Sequence, residues 1–215
     1  TFYEASPVPQ SILLNQLEQL FQTGEFDAVK IGMLYSKTNI DIIAGILKKY
    51  HPPNVVLDPV LTSSTGGILL EPDAVVLLKS RLIPLAEVIT PNIPEAERLA
   101  EMTIASLEDM KKAGRLIFEL GCKYVLVKGG HLPENAHDIL VYKDEAITLP
   151  GEYTKNTGFR GTGCVLSSAI AVFLTKGYDV PNAVLKAKRC LEYARQTAIQ
   201  TKNGNRILIA YIKGE

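Results

Sequence analysis

Four consecutive residues, Gly161, Thr162, Gly163 and Cys164, stand directly before a long apolar segment that reads as a helix. The first N–H groups of a helix have no intrahelical acceptor, and the helix dipole reinforces them, so such a turn binds anionic oxygens. Glycines let the backbone approach a phosphate closely. A cysteine at this place has its thiolate stabilised by the same field. The bland reading of these four residues, a Gly-rich turn followed by a small buried cysteine, stays open.

Neither GxxxxGK[ST] nor GxGxxG occurs in the chain, so a P-loop or a common dinucleotide fold has no sequence support. Phosphate binding has to use another device. Asp58 closes the apolar run 55–57, and Glu95 follows Pro91 and Asn92. Two acids so placed can hold Mg²⁺, directly or through water, because this ion takes few protein carboxylates; helix capping or solvation is the competing use. Lys128 ends the run 124–127 beside Gly129 and Gly130. A cation there can reach a polyphosphate, or it can be a surface lysine whose stem covers apolar neighbours. His51, His131 and His137 have no metal-ligand spacing, and Met33 can fill core or face a planar substrate.

These groups need a scaffold, and the apolar periodicity supplies one. Residues 11–21 have helical spacing and stop at Gly24; residues 28–34 read as a buried strand. Thr38 and Asp41 have capping-box spacing before a helix that Pro52 and Pro53 close, and residues 55–57 form the next strand. Pro72 opens a helix that Pro84 ends, residues 87–90 form a strand, and short helices follow from Pro94 and Ser106, the second stopped by Gly121. Residues 124–127 are a fourth strand. Residues 138–149 read as a hairpin about a 143–145 turn, residues 164–174 as a helix buried on several faces, and Asp179 with Pro181 as the start of a last long helix. Strands alternating with helices predict a mostly parallel sheet covered on both faces, whose ligands sit beyond the C-terminal strand ends. Asp58, Asn92 with Glu95, and Lys128 all follow strand ends and should converge on one crevice.

Composition narrows the class. The 215 residues are 47% hydrophobic and 21% charged, an ordinary globular balance that suits one α/β domain over residues 1–215. Lys plus Arg equals Asp plus Glu at 23 each, which removes the basic field expected of a nucleic-acid surface. No apolar run approaches the ~20 residues of a membrane span, and the first residues lack a secretion-signal pattern. Three widely spaced cysteines with no CxxC argue against a disulfide framework or zinc site, which fits a cytoplasmic protein.

Set in order, residues 28–34 (AVKIGML), 56–60 (VLDPV), 88–97 (VITPNIPEAE), 125–131 (VLVKGGH), 155–157 (KNT) and 161–164 (GTGC) form a specific series. From about Pro7 to Ala198 the chain resembles the hydroxymethylpyrimidine and phosphomethylpyrimidine kinases of thiamine biosynthesis, within the ribokinase-like superfamily. The resemblance implies a three-layer α/β/α sandwich and ATP- and Mg²⁺-dependent phosphorylation of 4-amino-5-hydroxymethyl-2-methylpyrimidine and of its monophosphate. It implies that Gly161, Thr162 and Gly163 form an anion hole, that Lys128 holds ATP phosphates, and that Asp58 and Glu95 organise Mg²⁺ with Asn92 in the same network. Met33 and Val60 would line the pyrimidine pocket, and Cys164 would be the base. A homodimer or higher assembly is also implied.

One departure is local. Arg160 stands before Gly161 where the family often has histidine, which adds a cation near the turn. The family also opens with a strand and a Gly-rich segment that this chain does not show, so the expectation is either an N-terminal strand unit upstream of these residues or a divergent protein with an impaired pocket. Two rival readings are a pyridoxal or pyridoxine kinase of the same superfamily and a non-catalytic nucleotide-binding relative. The first shares every phosphate-handling residue; the second is disfavoured by Lys128, Asp58, Glu95 and Cys164 occurring together.

Overall fold

The computed structural model describes residues 4–63, 66–130, 137–151, 159–201, 204 and 206–208. The segment 155–157, His131 and the side chain of Arg160 lie outside the described residues. Strands β1 (Val29–Ile31), β2 (Val55–Leu57), β3 (Val88–Ile89) and β4 (Tyr124–Val127) run parallel in that order. β5 (Asp138–Tyr142) and β6 (Glu145–Leu149) continue the sheet antiparallel, as the hairpin pattern predicts.

The period of two along each strand divides the core in half. Val55, Leu57, Val125 and Val127 join one apolar cluster, whereas Val56, Val88, Leu126 and Leu140 join the other. The first face is covered by α2 (Lys37–Tyr50), α3 (Val75–Leu77), α4 (Ile93–Ala100) and α5 (Leu107–Phe118), the second by α6 (Thr162–Thr175) and α7 (Val180–Gln196). This is the three-layer α/β/α arrangement expected of the sequence. Apolar residues on both faces of the inner strands are what a sheet covered on both sides requires. α1 (Gln10–Thr23) has no buried residue; it leans on α2 through Phe21, stacked on Tyr50 at 5.3 Å, and a 2.7 Å Glu18–Lys49 ion pair. Among the described residues, no helix is long and apolar enough to cross a membrane.

Several boundaries differ from expectation. The strand over 28–34 contracts to three residues with only Ile31 buried, because β1 pairs on one side alone among the described strands. Thr38 does not cap α2. Ser36 does, its extended backbone leaving the hydroxyl free to accept from the Asn39 N–H at 3.3 Å. Pro84 does not end a regular helix: residues 72–85 wind through 3-10, α, π and 3-10 segments, and the π segment Leu78–Leu82 buries both terminal leucines. Glu145 begins β6, so the turn tightens to Lys143 and Asp144, with Lys143 in the left-handed region. A small second sheet, β7 (Phe159–Arg160), β8 (Ile199–Gln200) and β9 (Arg206–Ile207), is not among the expected elements, although β9 opens onto the apolar sequence run 207–212.

Helix α5 lies tight against the sheet at Gly114. A Cβ there would stand 2.6 Å from Val141 Cγ2 and 3.5 Å from Val127 Cγ2. Valine is stiff at χ1, so the strand side chain cannot swing aside cheaply. Gly114→Ala is expected to lower stability by about 1–3 kcal/mol, although alanine is normally the better helix former by ~1 kcal/mol. Urea unfolding measures this, and an unchanged or raised midpoint would show that the sheet yields to the added methyl.

Candidate active site

The C-terminal ends of the parallel strands bring the expected groups together. Asp58 follows β2, with its N–H donating to the Ile31 carbonyl at 2.9 Å, and Lys128 follows β4, with its N–H donating to the Pro91 carbonyl at 2.8 Å. Their side chains meet: Lys128 Nζ lies 3.0 Å from Asp58 Oδ1, the two side chains being 16% and 3% exposed. Asn92 bridges to Lys128 in parallel fashion through the backbone. Lys128 is therefore a partly buried ion-paired cation and not a solvated surface lysine.

Asp58 is further held by two hydroxyls that sequence reasoning missed. Thr90 Oγ1 donates to Asp58 Oδ1 at 3.1 Å, and Ser167 Oγ lies 3.4 Å from Asp58 Oδ2. Ser167 also lies 2.9 Å from the Gly163 carbonyl oxygen, and its single proton can serve only one acceptor at a time. The sequence carried a signal for Thr90, which follows β3 as Asp58 follows β2. Ser167 is one helical turn beyond Gly163, in a helix where nothing local marks it.

The glycine turn descends onto this pair. Gly161 caps α6 with φ 82, a left-handed conformation that glycine adopts without strain, and no side chain caps the helix. Its first backbone bond is from the Val165 N–H to the Gly161 carbonyl at 2.9 Å, so helix geometry leaves the N–H groups of Thr162, Gly163 and Cys164 without an intrahelical acceptor. A Cβ on Gly163 would stand 3.2 Å from Lys128 Nζ and 3.6 Å from Asp58 Oδ2. Cation, carboxylate and helix start thus occupy one site. Cys164, the third residue of α6, is exposed.

Glu95 is buried next to the same charges but is engaged locally. It completes a capping box with Asn92: the Glu95 N–H donates to Asn92 Oδ1 at 2.9 Å, and the Asn92 N–H donates to Glu95 Oε2 at 2.8 Å. Burial pushes its carboxyl up to about 7, against the opposing pull of Lys128. Met33 and Val60 lie just past β1 and β2 on the same edge of the sheet, Met33 47% exposed and Val60 half-buried. An open groove lined by Val76, Lys79, Arg98 and Glu101 contains none of these residues.

Among the described residues, no group of three acidic, His or Cys side chains could enclose an ion. Mg²⁺ commonly takes one or two carboxylates and keeps several waters, which leaves Asp58 and Glu95 as the candidate acids; Asp58 Oδ1 already accepts from Lys128 and Thr90, and Glu95 Oε2 from the Asn92 N–H. A buried carboxyl that resists ionisation is also a group for which a nearby cation supplies the missing counter-charge.

The model of the family described as phosphomethylpyrimidine kinase matches residues 1–208. The chain belongs to that family. The thiamine biosynthesis bifunctional protein ThiED of Geobacter sulfurreducens is 40% identical over 194 residues, which are 89% of this chain and 39% of that protein. The hydroxymethylpyrimidine/phosphomethylpyrimidine kinase of Aquifex aeolicus is 38% identical over 96% of this chain and 81% of its own. Among solved structures, the phosphomethylpyrimidine kinase of Clostridium difficile superposes with a TM-score of 0.80 at 41% identity, covering 90% of this chain and 79% of that one. A Staphylococcus aureus pyridoxal kinase in complex with AMP-PCP and pyridoxal gives 0.87 at 27% identity, covering 96% and 75%. A phosphomethylpyrimidine kinase is a phosphotransferase, and the cluster of cation, helix start and carboxylates suits that chemistry.

Glu95 generates a pH-dependent prediction. Its carboxyl ionises near 4.5 in an unfolded chain and at about 7 when folded, so the folded form binds more protons in between. The stability this supplies is complete below the unfolded value and is lost as pH rises through about 7. Glutamine can still complete the capping box without a charge. In metal-free buffer, the stability of Glu95→Gln relative to wild type should therefore rise by roughly 1–3 kcal/mol between about pH 5 and about pH 8. Urea titrations at both pH values check this; a constant difference would mean that the carboxylate is well solvated.

Proposed function

We propose that this chain carries the kinase domain of an ATP-dependent enzyme that phosphorylates 4-amino-5-hydroxymethyl-2-methylpyrimidine and its monophosphate. The observation that carries the reading is the Lys128–Asp58 pair lying under Gly163 at the start of α6. Phosphoryl transfer has a loose transition state and needs mainly positioning and charge neutralisation. Lys128 and the N–H groups of Thr162, Gly163 and Cys164 are the groups suited to the nucleotide phosphates and the transferring group. Asn92 keeps the Lys128 strand end in register.

In the first transfer the substrate alcohol oxygen, and in the second a phosphate oxygen of the monophosphate, bonds to the γ-phosphorus as the bond from that phosphorus to the β–γ bridging oxygen breaks, and ADP leaves. In the first transfer the alcohol proton passes to a Cys164 thiolate; the ionised phosphate oxygen of the second has no proton to lose. Mg²⁺, held by Asp58 and Glu95 directly or through water, would neutralise phosphate charge. Thr90 orients Asp58. Met33 and Val60, on the same sheet edge, are the residues placed to meet a planar ring.

The higher TM-score of the pyridoxal kinase keeps pyridoxal in the comparison, whereas the closer identities go with pyrimidine kinases. ADP release with hydroxymethylpyrimidine, its monophosphate and pyridoxal offered separately tests the reading. Turnover of the pyrimidines with kcat/KM at least ~10-fold above that of pyridoxal is expected, the scale of a few pocket contacts. Preference for pyridoxal, or no turnover of any of them, would reject it.

The base assignment has its own test. Cys164→Ala should lower kcat by ~100-fold or more, the usual scale for a positioned base, and leave nucleotide affinity nearly unchanged. Steady-state kinetics at saturating substrates would reject the base assignment if kcat stayed close to wild type.

A further inference from the structure

The chain directly after Lys128 is tied down from an unexpected direction. The Gly129 N–H donates to Asp138 Oδ1 at 2.9 Å. A Cβ on Gly129 would stand 1.8 Å from the His137 carbonyl oxygen, so two backbones touch here where no side chain fits. The other carboxylate oxygen of Asp138 accepts from Lys188 Nζ of α7, in an ion pair whose side chains are only 18% and 11% exposed. α7 packs against α6 within the same apolar cluster, and α6 begins with the glycine turn of the site.

Lys128 is thus fixed on both sides. Before it, the Asn92 segment holds the backbone through the Lys128 N–H and the Pro91 carbonyl; after it, Asp138 holds Gly129. Stability alone is a weak reason for a shielded ion pair, since apolar replacements of such pairs are often neutral or better. The carboxylate does something an apolar residue could not: it accepts the N–H adjacent to Lys128 and links that point to the helix layer carrying the anion-binding turn.

We propose that Asp138 and Lys188 form a positioning latch that holds Lys128 at the height of the α6 turn and so sets nucleotide affinity without touching the nucleotide. This rests on the reading of Lys128 as the phosphate cation. The latch predicts graded effects, because asparagine at 138 keeps an oxygen for the Gly129 N–H, whereas alanine removes both bonds and methionine at 188 removes only the tether.

ADP binding by calorimetry, with thermal unfolding and pyrimidine KM alongside, tests it in wild type, Asp138→Ala, Asp138→Asn and Lys188→Met. Asp138→Ala should weaken ADP ~10-fold, the scale of a lost hydrogen bond to a charged group, with ~3-fold losses in the other two and pyrimidine KM unchanged in all. A purely structural pair would lower the unfolding temperature and leave ADP affinity within about twofold of wild type at 25 °C, which overturns the latch. Should Asp138→Ala not fold, Lys188→Met decides by the same criterion. ADP binding by wild type without pyrimidine turnover would reject the proposed function and leave the latch to its own variants; wild type that binds no ADP would overturn both.

Discussion

A lysine ammonium and an aspartate carboxylate held together out of water set the terms for their surroundings. Desolvating two charges costs several kcal/mol per ion, and their attraction offsets this only when geometry and further hydrogen bonds are good. Lys128 and Asp58 meet that demand through a 3.0 Å contact and the Thr90 hydroxyl, with Ser167 Oγ 3.4 Å from the second carboxylate oxygen. The demand also dictates where chain can go. Only strand ends and a helix start can crowd the pair without adding bulk, and Gly163 lies where a methyl would already press on Lys128. Such a cluster is preorganised: its dipoles and charges are oriented before any anion arrives, which is the condition under which electrostatic stabilisation costs no rearrangement.

What was legible in the sequence depended on how local the cause was. Runs such as 55–57 and 124–127 are apolar at every position because they are inner strands, and that can be read without knowing their partners. The convergence of Asp58, Asn92 and Lys128 followed from the rule about strand ends. By contrast, the contraction of the 28–34 strand goes with pairing on one side alone among the described strands, which no residue in it encodes. Ser36 outcompeted Thr38 as a cap through backbone conformation, and both are good cap types. Nothing local marks Ser167 within the 164–174 helix, because the Asp58 carboxylate it approaches lies more than a hundred positions away in the chain. The double duty of Glu95, capping α4 while sitting among charges, was anticipated only as competing alternatives.

The comparisons separate scaffold from specificity. Backbone likeness is higher to a pyridoxal kinase with TM-score 0.87 than to a phosphomethylpyrimidine kinase with 0.80, whereas identity runs 27% against 41%. A phosphate apparatus built from strand ends and a helix start constrains the backbone, and it is indifferent to the ring that carries the alcohol. Under the proposed function, ring choice would fall to side chains along the rim, and Met33, half of whose surface is open, is the candidate there.

Helix α6 leaves one consequence in its dynamics. From Leu166 onward it carries Ile170, Phe173 and Leu174 into the apolar layer under α7, while its first turn has no side-chain cap. Opening free energy should therefore change steeply along a single helix. Amides that open only with the whole domain would begin within a turn of amides that exchange freely with solvent. The candidate site lies on that boundary: one side is as immobile as the core, and the other stays wet enough to trade water for phosphate.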